Sequence, residues 1–253
     1  MSKASNQDWY KTIWDLDIKN SSWVEDTENQ VDFIIKTLQL TGKERILDLA
    51  CGFGRHCLSF AKRGYQVIGV DITEAYIKDA KMTAEKASLS IEFIHADIRD
   101  INFSNEFDVV LNIADGAIGY LENDGENLKI FDKISNALKL GGKHFMDLIN
   151  AEHIEQYAPR RGWEIGEKAF AISLLDWDKE NRKVIHGGWD FTYGLPTEKP
   201  DFSDSCSFRV YTKTELQAIL NSRNMQIIET FSNYYGKTDS MQDLQLIVYS
   251  AKK

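Results

Sequence analysis

Apolar positions first repeat at helical spacing over residues 24–40. There Val31, Ile34, Ile35 and Leu38 fall at i, i+3, i+4 and i+7, and Gly42 stands where the helix can end. From Glu44 to Asn150 the pattern changes to short apolar runs: RILDL (45–49), QVIGV (66–70), IEFIH (91–95), FDVVLN (107–112) and KHFMDLI (143–149). Helical stretches separate the runs. One ends at Gly64, one begins near Thr73 and carries Ile77, Ala80 and Ala84, and one carries Phe131, Ile134 and Leu138 ahead of Gly141-Gly142. Strands alternating with helices predict a doubly wound, mostly parallel α/β sheet with helices on both faces.

Residues 164–211 break this rhythm. AFAISLLDWD (169–178) and RKVIHGGWDFTY (182–193) read as two strands of a hairpin around Asp178–Asn181, followed by a Pro/Asp/Ser-rich loop over 195–205 and a further strand, SFRVYT. Thr212 and Glu215 have capping-box spacing and start a helix that runs to about residue 222. Two strand-like segments, MQIIETFSNYY and LQLIVYSAK, close the chain. The expected organisation is a helical cap over 1–43, a core over 44–150, an inserted antiparallel β-region over 151–211, and a helix with strands over 212–253 that rejoin the sheet.

Composition narrows the function classes. A chain of 253 residues suffices for one large domain or one domain with a modest insertion. No run approaches the about 18 apolar residues of a membrane span, and the opening MSKASNQDWYKTIWD has no signal-peptide core, so the expected setting is cytoplasmic with no membrane partner. Three cysteines without metal-ligand spacing point to a reducing compartment and to no metal. A net charge of −9 with no Lys/Arg-rich run argues against nucleic acid.

The informative stretch is ILDLACGFGRH (46–56), where an apolar strand runs through Asp48 into a turn with Gly52 and Gly54 and then into a helix. Glycines there let backbone N–H groups approach a ligand. The next strand ends in Asp71, placed to accept hydrogen bonds from both hydroxyls of a ribose. A third ends in Asp97-Ile98, a pair that can bind an adenine edge and pack on its face. Each feature alone is weak, since a strand-terminal Asp is often a turn former. Together they fall at successive strand ends, where open α/β sheets bind ligands.

With the glycine-rich loop at 48–54, VIGVDIT, HADI, FDVVLN and LKLGGKHFMDL in this order, the chain resembles the class I S-adenosylmethionine (AdoMet)-dependent methyltransferases over at least 44–150. SFRVYTKTEL, YYGKTDS and LQLIVYSAK resemble the tail of a small-molecule subgroup with an inserted β-region. The resemblance implies a Rossmann-like seven-stranded sheet with an antiparallel last strand. It also implies AdoMet as cofactor and methyl transfer to a small acceptor by in-line displacement. Asp48 and the backbone of Ala50, Cys51, Gly52 and Gly54 would face the methionine part, and Arg55 its carboxylate. Asp71 would hold the ribose with Ile72 against the adenine, Asp97 and Ile98 would bind the adenine, and Asn112 would lie near the transferred methyl. Tyr10, with Trp9 and Trp14, is a candidate flap over the cofactor.

Catalytic candidates are Asp115 as a base and Tyr120 as a positioning hydroxyl, both after the fourth strand, with His186 in the insertion; Trp189 and Arg209 are further candidates for the acceptor pocket. His56 can face the cofactor or sit in the first helical turn, and His144 reads as structural. Two other functions remain open at this level. One is a non-catalytic AdoMet-binding regulatory or assembly protein. The other is an NAD-dependent oxidoreductase, although Cys57 stands where its third glycine belongs. The acceptor atom and the choice between monomer and homodimer are not legible.

Overall fold

The computed structural model of the protein describes residues 8–196 and 206–253, so most of the loop expected over 195–205 lies outside the described residues. Two helices, α1 (Ser22–Glu25) and α2 (Thr27–Thr37), replace the single one expected over 24–40, because the backbone leaves helical geometry at Asp26. α2 also stops short of Gly42. Gln39 takes a left-handed φ of 49° and the Leu40 amide closes on the Ile35 carbonyl at 3.0 Å, a capping geometry more often given to glycine.

The alternating units follow as β1 (Arg45–Leu49), α3 (Arg55–Lys62), β2 (Gln66–Asp71), α4 (Glu74–Lys86), β3 (Glu92–His95), β4 (Phe107–Asn112), α5 (Asp124–Ala137) and β5 (Leu138–Ile149). Leu138, expected in the helix, begins the strand instead. The Lys252 ammonium donates to the Ser135 and Leu138 carbonyls at 2.6 and 2.8 Å and so satisfies the end of α5 without a glycine turn.

The sheet has seven strands in the order β10-β11-β5-β4-β1-β2-β3. β11 (Gln245–Lys252) runs antiparallel to β5 and to β10 (Met225–Phe231), while the β5-β4-β1-β2-β3 ladders are parallel. Chain neighbours point to opposite faces. Ile46, Val109 and Phe145 pack with Ile34, Phe60 and Ile77 on one side; Leu47, Val110 and Met146 pack with Phe131 and Ile134 on the other. Full burial of each such side chain stabilises the fold by about 1.5–3 kcal/mol.

The insertion comprises α6 (Ala151–Tyr157) and a separate antiparallel sheet of β6 (Arg160–Ile165), β7 (Ala169–Asp178), β8 (Lys183–Thr192) and β9 (Cys206–Arg209), in that order. β6 has no apolar alternation to predict it, and it lies at an edge, where most of its side chains stay exposed. Leu175, Val184, Cys206 and Phe208 join the core on the α5 side of the main sheet. The Arg209 amide donates to the Gly119 carbonyl at 2.8 Å, which holds the inserted sheet against the loop that leaves β4. α7 (Lys213–Asn221) opens on the expected capping box, with both reciprocal Thr212–Glu215 bonds formed.

Candidate functional site

The loop after β1 is shaped by left-handed backbone at Ala50 (φ 56°), Gly52 (φ 57°) and Gly54 (φ 78°), the last capping α3. Its amides are fixed on both sides. Cys51 N–H donates to the Val70 carbonyl at 3.0 Å, and Gly52 N–H donates to the Asp71 carboxylate at 2.8 Å. The other Asp71 oxygen accepts from Thr73 N–H at 2.7 Å. A side chain at Gly54 would lie 2.8 Å from the Phe93 ring, whereas one at Gly52 would meet only the Tyr76 ring, at 3.9 Å. The loop is therefore tight toward the protein and open at Gly52. Thr73 adds a buried hydroxyl next to Asp71.

Asp48 is buried beneath this loop, where it accepts a hydrogen bond from the Cys57 thiol at 3.3 Å. Burial pushes its carboxyl up to about 7, against the pull of Cys57 and of the Arg55 charge. Burial likewise raises Asp71, with the Thr73 and Gly52 amides opposing. Arg55 donates to the Thr27 hydroxyl and the Gln30 side-chain oxygen Oε1 at 2.6 and 2.7 Å and lies over the Trp23 ring at 5.0 Å. Its partners are all neutral, and Asp48, Asp147 and Asp26 act on it only through space. Desolvation lowers its pKa accordingly, as for a cation short of an anion. His56 is buried against Gln30 at 2.9 Å and held neutral by burial, so it belongs to the α2–α3 contact.

At the third strand end, Asp97 accepts from the Arg99 amide at 2.8 Å and from its guanidinium at 2.6 and 3.0 Å. Arg99 also reaches Glu122 and Glu126, and the Tyr10 hydroxyl donates to Glu122 at 3.1 Å. Burial works against ionising Asp97, but the Arg99 contacts hold it below the usual carboxylate range. Tyr10 is thus anchored beside Asp97 through Glu122 and Arg99. Ile98 is buried, and Ile72 is partly buried against the same core. Arg99 is not legible from the sequence, because a single arginine in a turn carries no pattern.

Asn112 is fully buried. Its amide donates to the Gly116 carbonyl at 3.0 Å and its oxygen meets His144 at 3.3 Å, so its side chain is committed to the fold and only its backbone remains for a ligand. Burial lowers His144 to about 3, so the imidazole is neutral and structural, bridging Asn112 and Ser250.

Beyond β4 the chain makes a left-handed turn through Ala114 (φ 55°), Asp115 (φ 65°), Gly116 (φ 51°) and Ala117 (φ 62°). Non-glycine residues adopt this conformation at a cost of about 1–2 kcal/mol each. The turn directs the Asp115 carboxylate inward, where it accepts from Ile149 N–H at 3.2 Å and the Tyr120 hydroxyl at 3.1 Å. Burial, and then the Asp147 charge, push Asp115 up to about 7. Asp147, at the end of β5, accepts from the Tyr234 hydroxyl and from Gln245. Asp147 lies inside KHFMDLI and Tyr234 opens YYGKTDS, but no pattern in either segment marks it as a site residue. The signal was a lone acid inside the apolar run HFMDLI.

Tyr120 lies among Trp9, Phe208 and Trp14, with ring centroids at 4.8, 5.2 and 6.3 Å. His186 sits 3.8 Å from the Cys206 thiol and is kept neutral chiefly by burial. Arg209 is tied to Glu215 of α7 and Asp124 of α5, so it fastens the inserted sheet to helices of the main domain. Trp189 pairs with Ile172 across the β7–β8 ladder. Among the described residues no helix is long and apolar enough to cross a membrane, and no group of three or more His, Cys, Asp or Glu could hold a metal ion.

Residues 46–142, which contain the glycine loop and all three strand-end acids, match the family model described as a methyltransferase domain. Over these residues the chain is similar to methyltransferase domains. A ubiquinone biosynthesis O-methyltransferase of Nitrobacter winogradskyi is 33% identical over 131 residues, 52% of this chain and 43% of that protein. The chain spans about half the length of the curated relatives it matches. Among solved structures, an S-adenosylmethionine-dependent methyltransferase from Clostridium acetobutylicum superposes with a TM-score of 0.76 at 18% identity, covering 93% of this chain and 96% of that one. An amino pentose methyltransferase from Micromonospora echinaspora, solved with SAM bound, gives 0.62 at 16% identity and 92% coverage of both chains. At these identities the likeness shows a shared overall fold.

Proposed function

We propose that the protein transfers the methyl group of AdoMet to a small-molecule acceptor. The observation that carries this reading is the arrangement of Asp48, Asp71 and Asp97 at the ends of three neighbouring parallel strands, with Asp71 holding the open Gly52 turn. The residues fit the cofactor. Asp71 with the adjacent Thr73 hydroxyl suits a ribose, the Arg99-paired Asp97 with Ile98 and Ile72 suits an adenine, and Arg55, with neutral partners only, suits a carboxylate.

When bound, AdoMet supplies a methyl group already activated by its sulfonium. The chain then has to align the acceptor, exclude water and accept a proton where the acceptor carries one. Alignment falls to the Tyr120 and Trp9 wall, and the proton to Asp115, whose raised carboxyl suits exchange near neutral pH. The three buried free cysteines and the acidic charge support a reducing, cytoplasmic setting without nucleic acid.

Isothermal titration with AdoMet, S-adenosylhomocysteine (AdoHcy) and NAD⁺, on wild type and Asp71→Ala, tests the reading. Binding of the first two, lost in the variant, is expected. Binding of NAD⁺ alone would make the protein a dehydrogenase, and AdoMet binding without turnover on any acceptor would make it a sensor.

A further inference from the structure

We propose that two copies of the chain pair through the open edge of β6, antiparallel about a two-fold axis at Gly162, so that their inserted sheets join into one. This does not depend on the methyl-transfer reading.

The two edges of the inserted sheet are finished differently. At β9 the outward amide of Arg209 is taken up by the Gly119 carbonyl. At β6 the Gly166 amide donates inward to the Ala169 carbonyl at 2.8 Å, which fixes the alternation of the ladder. Gly162 and Glu164, in step with Gly166, turn their backbone groups to β7. Those of Arg161, Trp163 and Ile165 therefore point away from it, and their amides meet no acceptor among the described residues.

The side chains leave the same edge uncovered. Ala169 and Leu175 are buried on one face of β7. Trp163 and Ile165 stand on the other, in register with Ile172 and Phe170, and are 68% and 67% exposed. An edge strand with open backbone groups and large apolar side chains is a template for another strand.

The strand that fits this edge is β6 itself. A two-fold axis normal to the sheet keeps each residue on its own face, so opposed residues differ in number by an even amount. Centred on Gly162, the pairing sets Arg160 opposite Glu164 and Arg161 opposite Trp163 on both sides of the axis. The Arg161 and Trp163 backbones, both pointing outward, are the ones that exchange hydrogen bonds. Within one chain neither Arg160 nor Glu164 contacts an opposite charge. Arg160 meets His153 at 2.8 Å, and Glu164 accepts from the Ser22 hydroxyl at 2.6 Å.

The charges also select this centre. An axis at Arg161 sets arginine on arginine, and one at Trp163 leaves Glu164 opposite Gly162. Parallel pairing in register opposes each charge to its like.

Sedimentation equilibrium of the full chain is expected to show a dimer in the micromolar range. Trp163→Pro removes an outward amide and spares the β7 ladder, so it blocks the edge alone. This variant and Arg160→Glu are each expected to weaken the dimer at least about tenfold, and Arg160→Glu with Glu164→Arg to recover it. Melting temperatures check that each variant is folded, and if Trp163→Pro is not, the charge reversals decide.

Oxidation with diamide locates the axis. A Cβ at Gly162 would meet only the Ser173 hydroxyl, at 3.1 Å. Gly162→Cys would stand about 4.5 Å from its copy between Cα atoms, within reach of a disulfide. Ile165→Cys would stand about 20 Å from its copy along the strands, so only the first should cross-link. A monomer throughout, a dimer indifferent to Trp163→Pro, a charge reversal that the double variant does not rescue, or cross-linking through Ile165→Cys instead of Gly162→Cys would each overturn the proposal.

Discussion

The Asp71 carboxylate accepts the Gly52 amide at 2.8 Å, so the acid that ends β2 also clasps the turn that leaves β1. The same group that offers a hydrogen-bond acceptor to a ribose sets the shape of the loop beside it. Asp71→Asn can still accept one of its two amide hydrogen bonds through its remaining oxygen, whereas Asp71→Ala loses both. AdoHcy affinity measured by titration is therefore expected to fall about tenfold in the first and a hundredfold or more, about 3 kcal/mol, in the second. Equal losses in the two would mean that Asp71 acts on the ligand alone and not on the loop.

Arg55 gives a sharper test because its partners, Thr27, Gln30 and the Trp23 face, leave its charge unmatched. Arg55→Gln is expected to weaken AdoHcy about 10–100-fold, the worth of a charge-assisted bond to its carboxylate, and to leave adenosine, which has no carboxylate, unaffected. Parallel losses for both ligands would place Arg55 in the loop's architecture and not against the ligand.

Gly119 shows how the insertion is docked. Its φ is 91°, and a Cβ there would lie 1.9 Å from the Arg209 carbonyl oxygen. Gly119→Ala must push the inserted sheet off the β4 loop, at about 1–3 kcal/mol from crowding in addition to the backbone strain. Gly141 shares a positive φ of 74°, but its Cβ would meet nothing within 4 Å, so Gly141→Ala should show the strain alone, about 1 kcal/mol. Urea midpoints compare the two, and an equal shift would refute the close-contact account.

Asp48, Gly52, Gly54, Asp71 and Asp97 were legible in the sequence because each lies where a periodic strand stops, and the strand-to-turn switch is a local pattern. Asp147 and Tyr234 were not, since their partnership joins residues 87 apart and only the antiparallel β11 brings their segments together. Arg99 and Gly119 escaped for the same reason. The value of each depends on a carboxylate or a carbonyl supplied from elsewhere in the chain. Asn112 was legible as a strand end, but its side chain turned inward to Gly116 and His144, a choice that strand periodicity does not encode.

The buried Asp48 carboxyl makes stability depend on pH in a definite direction. Its pKa rises from an ordinary unfolded value near 4 to about 7 on folding, so the folded state holds its proton more tightly. Its contribution is fully present below about pH 4 and is lost as pH rises through about 7, because ionisation in the folded state leaves a buried anion. Asp48→Asn keeps the shape, still accepts the Cys57 thiol and cannot ionise. The ligand-free variant should therefore melt at a higher temperature than wild type at pH 8, with a gain of at most about 4 kcal/mol. The gap should close by about pH 4, where wild-type Asp48 is protonated in the unfolded state as well as in the folded one. Calorimetric melting across this range measures it. A gap that is absent at pH 8, or that widens toward acid, would show that Asp48 is ionised and compensated in the folded protein.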